Sequence, residues 1–168
     1  MKTERQELEQ AIAFIESHID DAKIGLPFPV FELVSRLTPM VNVDLLIKDK
    51  NNRTLLAWRD DEFAGQGWHI PGGIVRFKET LDNRIQQVAL REIGHPIIFN
   101  PEPLKMSQVI GTHDTRGHFI SLLYSCSIDE QFQPDNKIVR PDDSGYLTWH
   151  KECPHNLVKV HEMYRKFI

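Results

Sequence analysis

The 168-residue chain predicts a single α+β domain, a mixed sheet with helices packed on it. Three observations carry that expectation. The hydrophobic period switches between helical spacing and strict alternation along the chain. The strand-like segments come as hairpins joined by turn residues, rather than as strand–helix–strand units. The size and the 40% apolar content suit one core.

The elements follow in order. Thr3 to Lys23 reads as an amphipathic helix with Leu8, Ile12, Ile15 and Ile19 on one stripe, stopped by Gly25, Pro27 and Pro29. A short helix from about Val30 to Leu37 ends before Thr38-Pro39. Residues 1–25 are thus expected to form an N-terminal helical extension to a domain spanning 26–168. From Met40 the period is two: Val41, Val43, Leu45 and Ile47 alternate with Asn42, Asp44 and Lys48, a half-buried strand. Asp49-Lys50-Asn51-Asn52 turns it into a partner strand, Thr54 to Trp58. A polar loop is expected over Asp60 to Gly67, then a short strand from Trp68 that runs into a tight turn at Pro71-Gly72-Gly73. Thr80 to Ile93 is the strongest helix, capped by Thr80 and ended by Gly94 and Pro96. Further strands fall at Met106 to Gly111, His118 to Ile128 and Gly145 to Trp149, and Asn156 to Phe167 closes the chain as a helix.

Composition narrows the function classes. A net charge of −4 supplies no bulk basic field for nucleic acid. No window reaches the ~20 apolar residues of a spanning helix, and the polar, acidic start does not read as a signal peptide. Two distant cysteines, Cys126 and Cys153, give neither a disulfide framework nor a cysteine zinc site, so a cytoplasmic protein is expected.

The helix Thr80 to Ile93 carries the chemistry. At 100° per residue, Leu81, Ile85, Val88 and Glu92 fall within about 60° of one another. Glu92 therefore lies in the apolar stripe, where a lone carboxylate needs a partner. A buried arginine would serve, as would solvent reached from the end of the helix, or a metal ion. The glycine pair before the helix can offer bare backbone oxygens, and a carbonyl plus a carboxylate makes a hard site suited to Mg²⁺.

Gly73, five residues, Glu79, then a helix ending Arg91-Glu92-Ile93-Gly94 resembles the Nudix box, Gly-x5-Glu-x7-Arg-Glu-U-x-Glu-Glu-x-Gly-U with U a bulky aliphatic. Trp68-x-x-Pro71-Gly72-Gly73 strengthens the match. The resemblance implies the Nudix fold, a mixed sheet sandwiched between helices (α/β/α), here with an extra N-terminal helix. The departures are informative. Where the general box has Arg-Glu the chain has Gln87-Val88, and where it has Glu-Glu it has Arg91-Glu92. Ordinary members gather several divalent ions on those carboxylates; a lone Glu92 supports one Mg²⁺ per subunit.

That reduced box is similar to the GDP-mannose mannosyl hydrolase branch. The likeness covers most of the chain from about Leu26, including Thr38-Pro39-Met40-Val41-Asn42-Val43-Asp44-Leu45, Leu55-Leu56-Ala57-Trp58-Arg59 and Lys78-Glu79-Thr80-Leu81. Asp143-x-x-Tyr146-x-x-Trp149 and Val160-His161-x-x-x-Arg165-x-x-Phe167 extend it to the C-terminus. The resemblance implies hydrolysis of a GDP-sugar at the anomeric carbon, releasing GDP and free sugar, by a homodimer. For metal it implies a backbone oxygen of Gly72, the carboxylate of Glu92, and Thr112 where the family has a glutamine. It makes His113 the general base, since a neutral imidazole takes a proton from water near neutral pH. Arg59 would contact the diphosphate, Phe31 the guanine base, and Asp44 a sugar hydroxyl, while Glu79 would fix the loop. The alternatives are pyrophosphohydrolysis at phosphorus and a degenerate, noncatalytic nucleotide-binding domain.

Overall fold

The computed structural model describes residues 3–168. Helix α1 spans Glu4–Glu16 and α2 Phe28–Leu37. The strands are β1 Met40–Lys48, β2 Thr54–Asp61, β3 Gly65–His69, β4 Gly72–Ile74, β5 Ile98–Phe99, β6 Lys105–Ile110, β7 His118–Ser127 and β8 Leu147–His150. Helix α3, Leu81–Val88, lies between β4 and β5 and runs on into a π-helical turn, Ala89–Ile93. A 3₁₀ helix, Lys159–Phe167, ends the chain.

The backbone of the sheet runs β3-β2-β1-β7-β5, with β4 added to β1, β6 to β7 and β8 to β2. Strand β1 is central. It pairs parallel with β7 from Met40↔Phe119 to Lys48↔Ser127, and antiparallel with β4. Alternate residues of β1 face two separate cores. Val43, Leu45 and Ile47 pack with Ile85, Val88, Ala89 and Ile93 of the α3 side. Leu46 points the other way, to Leu56, Ile70, Leu123 and Tyr164 of the C-terminal 3₁₀ helix. Both faces of the sheet are therefore covered, and β1 is buried on both sides rather than half-buried as its alternation predicts.

Several boundaries differ from the sequence expectation. Helix α1 stops at Glu16, seven residues early, and its Leu8 and Ile12 are exposed. Thr3 caps it in a reciprocal box with Gln6. The expected loop over Asp60 to Gly67 is mostly hairpin, with Asp60 opposite Gln66 and only three residues in the turn. The Gly72-Gly73 segment forms β4, not a turn, and neither glycine has a positive φ. These glycines serve close approach instead. A Cβ on Gly73 would sit 2.8 Å from Val88 Cγ2, and one on Gly72 would run into the Asp44 carboxylate.

The α3 helix begins as expected, with Thr80 Oγ1 accepting from Asn83 N–H at 3.2 Å. Its end is different. Gly94 N–H donates to Ala89 O, five residues back, and Gly94 closes the turn with φ 74. The wider turn changes the phase of the wheel. Ala89 and Ile93 take the buried positions and Glu92 rotates outward, its side chain 33% exposed.

Candidate active site

Strand β4 lines two cavities. One, of about 240 Å³, is lined by Arg59, Gly72, Gly73, His113, Arg116 and His161 among others. The second, about 750 Å³, is lined by Phe31, Gly72, Gly73, Arg76, Arg91 and Glu92 among others. Five sequence-predicted residues thus converge on one short strand: Gly72 belongs to both cavities, Arg59 and His113 to the smaller, Phe31 and Glu92 to the larger.

Two predicted residues lie elsewhere. Thr112 is exposed and lines neither cavity, because Gly111 and His113 take the inward positions of that loop. Asp44 is buried, 1% exposed, directly beneath Gly72. Its Oδ2 accepts from Ser121 Oγ (2.5 Å) and Tyr164 Oη (2.8 Å), and its Oδ1 accepts from Asn42 Nδ2 (2.7 Å). This corrects the expectation of a sugar-contacting aspartate: β7 and the C-terminal helix close over the side chain and consume its acceptors. Burial pushes the carboxyl up to about 6, against the pull of those three donors.

His161 stands between this network and the smaller cavity. Ile70 N–H donates to its Nδ1 at 3.0 Å, so the neutral ring carries its proton on Nε2, 3.8 Å from Asp44 Oδ1. Burial above all, with the charges of His69 and Arg59, drives His161 down to about 3. The contact is therefore one of a carboxyl with a neutral imidazole. No local pattern links residues 44 and 161; the nearest signal was the family-like C-terminal segment Val160-His161.

Glu79 and Glu92 occupy opposite ends of the same helix. Glu79 accepts from Arg76 N–H (3.0 Å), Arg84 Nε (2.8 Å) and Asn83 Nδ2 (2.7 Å), and it ties β4 to α3 as expected. Glu92 has one ionisable group within 4 Å among the described residues, the His69 imidazole, with Nε2 at 3.6 Å. No guanidinium among the described residues engages it.

The donor set can be tested against a metal. Leu45 N–H binds Pro71 O (2.8 Å) and Val75 N–H binds Val41 O (2.9 Å), so residues 41, 43 and 45 are the bonded positions of β1. Gly72, opposite Asp44, is at a non-bonded position, and its carbonyl points away from β1. A free carbonyl and a half-exposed carboxylate lining one cavity fit a single Mg²⁺, which keeps waters and takes phosphate oxygens. Among the described residues no group of three or more His, Cys, Asp or Glu converges to hold a metal.

No protein-family model matches the chain. A curated relative, the low-salt glycan biosynthesis protein Agl8 of Haloferax volcanii, is 28% identical over 115 residues, 66% of this chain and 73% of that protein. Among solved structures, a MutT Nudix hydrolase from Burkholderia pseudomallei superposes with a TM-score of 0.62 at 21% identity, covering 78% of this chain and 98% of the other. The chain has the Nudix fold. A MutT protein from Methanosarcina mazei gives 0.59 at 16% identity, over 77% and 91%. The α+β expectation, with its mixed sheet between helices, is met. No helix among the described residues is long and apolar enough to cross a membrane.

Proposed function

We propose that this protein is a Mg²⁺-dependent hydrolase of a GDP-sugar, of the GDP-mannose type, that attacks the anomeric carbon and releases GDP and free sugar. The observation that carries the reading is the convergence at β4: Glu92, Arg59 and His113 line two cavities that share Gly72, Gly73 and Ile74. Gly72 O and Glu92 would hold one Mg²⁺, whose chemistry there is to neutralise charge on a diphosphate. Arg59, its Nε given to Asp61, is held in place to face phosphate oxygens with its remaining donors. His113 takes the proton of the attacking water. Phe31 offers a face to the base.

Attack at phosphorus is better served by paired cations that activate water and clamp the leaving oxygen. Here Val88, one turn before Glu92, is packed on Gly73 and offers no ligand. A diphosphate already shielded by a cation and guanidinium leaves without a general acid, which supports attack at carbon. The name of the Haloferax relative, a glycan biosynthesis protein, supports a sugar-bearing substrate. We place the reaction in the cytoplasm, in a homodimer, whose pairing would cover Leu8 and Ile12 of α1.

A panel of nucleotide sugars with Mg²⁺, run in ¹⁸O water, tests the reading. GDP plus a labelled free sugar is expected, with most turnover lost in His113→Ala. Sugar phosphate as product means cleavage at phosphorus. Binding of GDP-mannose with no product means a noncatalytic nucleotide-binding domain.

A further inference from the structure

Glu92 lacks the ring of donors that surrounds Glu79, and one imidazole stands where such a donor belongs. His69 lies in β3 opposite Ala57 of β2, on the face that carries the α3-side core. Its backbone is fixed from two directions. The β2 pairing holds one side, and Ile70 N–H, next along the chain, is bonded to His161 Nδ1 at 3.0 Å. The His69 ring is mostly buried, and the His161 ring packs 6.2 Å from it, centroid to centroid. The π-helical turn brings Glu92 out of the apolar stripe and against this ring, with Oε2 3.6 Å from His69 Nε2.

The two ring nitrogens differ in what surrounds them. Nδ1 is buried and has no hydrogen-bond partner among the described residues. A buried N–H without an acceptor is rarer and more costly than a bare lone pair. The neutral ring therefore carries its proton on Nε2, the nitrogen that faces Glu92. At 3.6 Å the two atoms stand just beyond hydrogen-bond length. A small rotation of the partly exposed glutamate closes that gap, and contacts that are long in a ligand-free site tighten when it fills. Carboxylates that hold a metal are ordinarily held by hydrogen bonds of their own, and those partners weigh heavily on affinity.

We propose that His69 is a positioning residue for the candidate metal site: its Nε2–H donates to Glu92 Oε2 and restrains that carboxylate to hold one divalent cation. His69 acts through Glu92 and touches neither the cation nor the substrate. This role rests on the reading of Glu92 as the metal-holding carboxylate, but not on which substrate is bound or which bond is cleaved. The Trp68-x-x-Pro71 pattern leaves position 69 open, so the role belongs to this chain rather than to the motif.

The test is titration of the full chain with Mn²⁺ in the absence of nucleotide, followed by electron paramagnetic resonance of the free ion. The variants are Glu92→Gln, His69→Phe and His69→Gln. Phenylalanine keeps the shape of the ring and removes both nitrogens, whereas glutamine loses the shape and places an amide N–H near Nε2. Packing alone would make His69→Phe the milder change. A donor role reverses the order: His69→Phe is expected to weaken Mn²⁺ binding about 10-fold or more, and His69→Gln less than about 3-fold. Thermal melting checks folding. His69→Asn, whose shorter amide does not reach Glu92, takes the place of His69→Phe if that variant is unfolded. Wild-type Mn²⁺ affinity in folded His69→Phe, or equal losses in the phenylalanine and glutamine variants, overturns the proposal. So does a pulsed-resonance signal of nitrogen bound to Mn²⁺ that His69→Phe removes, since that makes His69 a ligand. A wild type with no Mn²⁺ site that Glu92→Gln removes overturns the metal reading, and the role of His69 with it. If Mn²⁺ binding follows His69 while the nucleotide-sugar panel gives no hydrolysis, only the reading of the reaction fails.

Discussion

Glu79 and Glu92 flank one helix thirteen residues apart in sequence, and their surroundings are opposite. Glu79 is buried among three donor residues, Arg76, Asn83 and Arg84, with 7% of its side chain exposed. Glu92 keeps 33% exposed and stands 3.6 Å from one imidazole. A carboxylate whose lone pairs are all claimed inside the protein holds structure together; one whose lone pairs face a cavity is free to hold something else. The residue type does not separate the two roles. The number of local donors does.

The largest expected effect on activity comes from the free glutamate. Glu92→Gln is expected to lower turnover of the nucleotide sugar about 10²–10³-fold, since a bound cation supplies several kcal/mol to the transition state. Its melting temperature should stay near wild type. Wild-type turnover in this variant breaks the comparison. Next is the satisfied glutamate. Glu79→Gln leaves Arg84 charged and 5% exposed, and denaturant unfolding should show a loss of about 3–5 kcal/mol, the cost of breaking a buried pair.

A smaller effect is one of pH. Burial alone would raise Glu79, but the Arg76 N–H, the Arg84 guanidinium and Asn83 hold it below the usual carboxylate range. Its contribution to stability is complete above the unfolded value of about 4.3 and is lost as pH falls through the lower folded value. Asp44 works in the opposite sense. Its carboxyl, raised to about 6 by burial, binds a proton more tightly folded than unfolded. Stability from this group falls as pH rises from about 4 to about 6 and is level above. Denaturation between pH 3 and 7 should show Glu79→Gln flattening the acid limb and Asp44→Asn removing the decline above it. The smallest effect is at the helix start: Thr80→Ala removes the cap on Asn83 N–H and should cost about 1 kcal/mol, with catalysis unchanged.

What the sequence made legible was local. The β1–β2 hairpin, the Thr80 cap and the helix stop at Gly94 each depend on residues within a few positions of one another, and all are present. The convergence of Gly72, Glu92, Arg59, Phe31 and His113 came from the motif resemblance, not from periodicity. What was hidden depends on distant chain. Asp44 looks solvent-facing on a hairpin strand, because alternation cannot reveal that β7, some 80 residues later, pairs beside it and that Tyr164 covers it. His69 reads as packing from sequence, yet its Nε2 neighbours Glu92. From sequence Arg116 lies in a polar loop and is, with Arg76, a stand-in for an arginine that the family carries where this chain has Ile74; the fold sets it over Phe63.

The wide turn at Ala89–Ile93 has a wider consequence. A regular helix keeps a fixed angular relation between its anchor residues and everything beyond them, so a side chain on the inner face stays captive. One additional residue in the last turn uncouples the two: Ile93 stays anchored while its neighbour swings free. Exposure here is gained by a change in pitch, with no exchange of amino acids, and any redesign that regularised this segment for rigidity would turn the Glu92 carboxylate back toward the core.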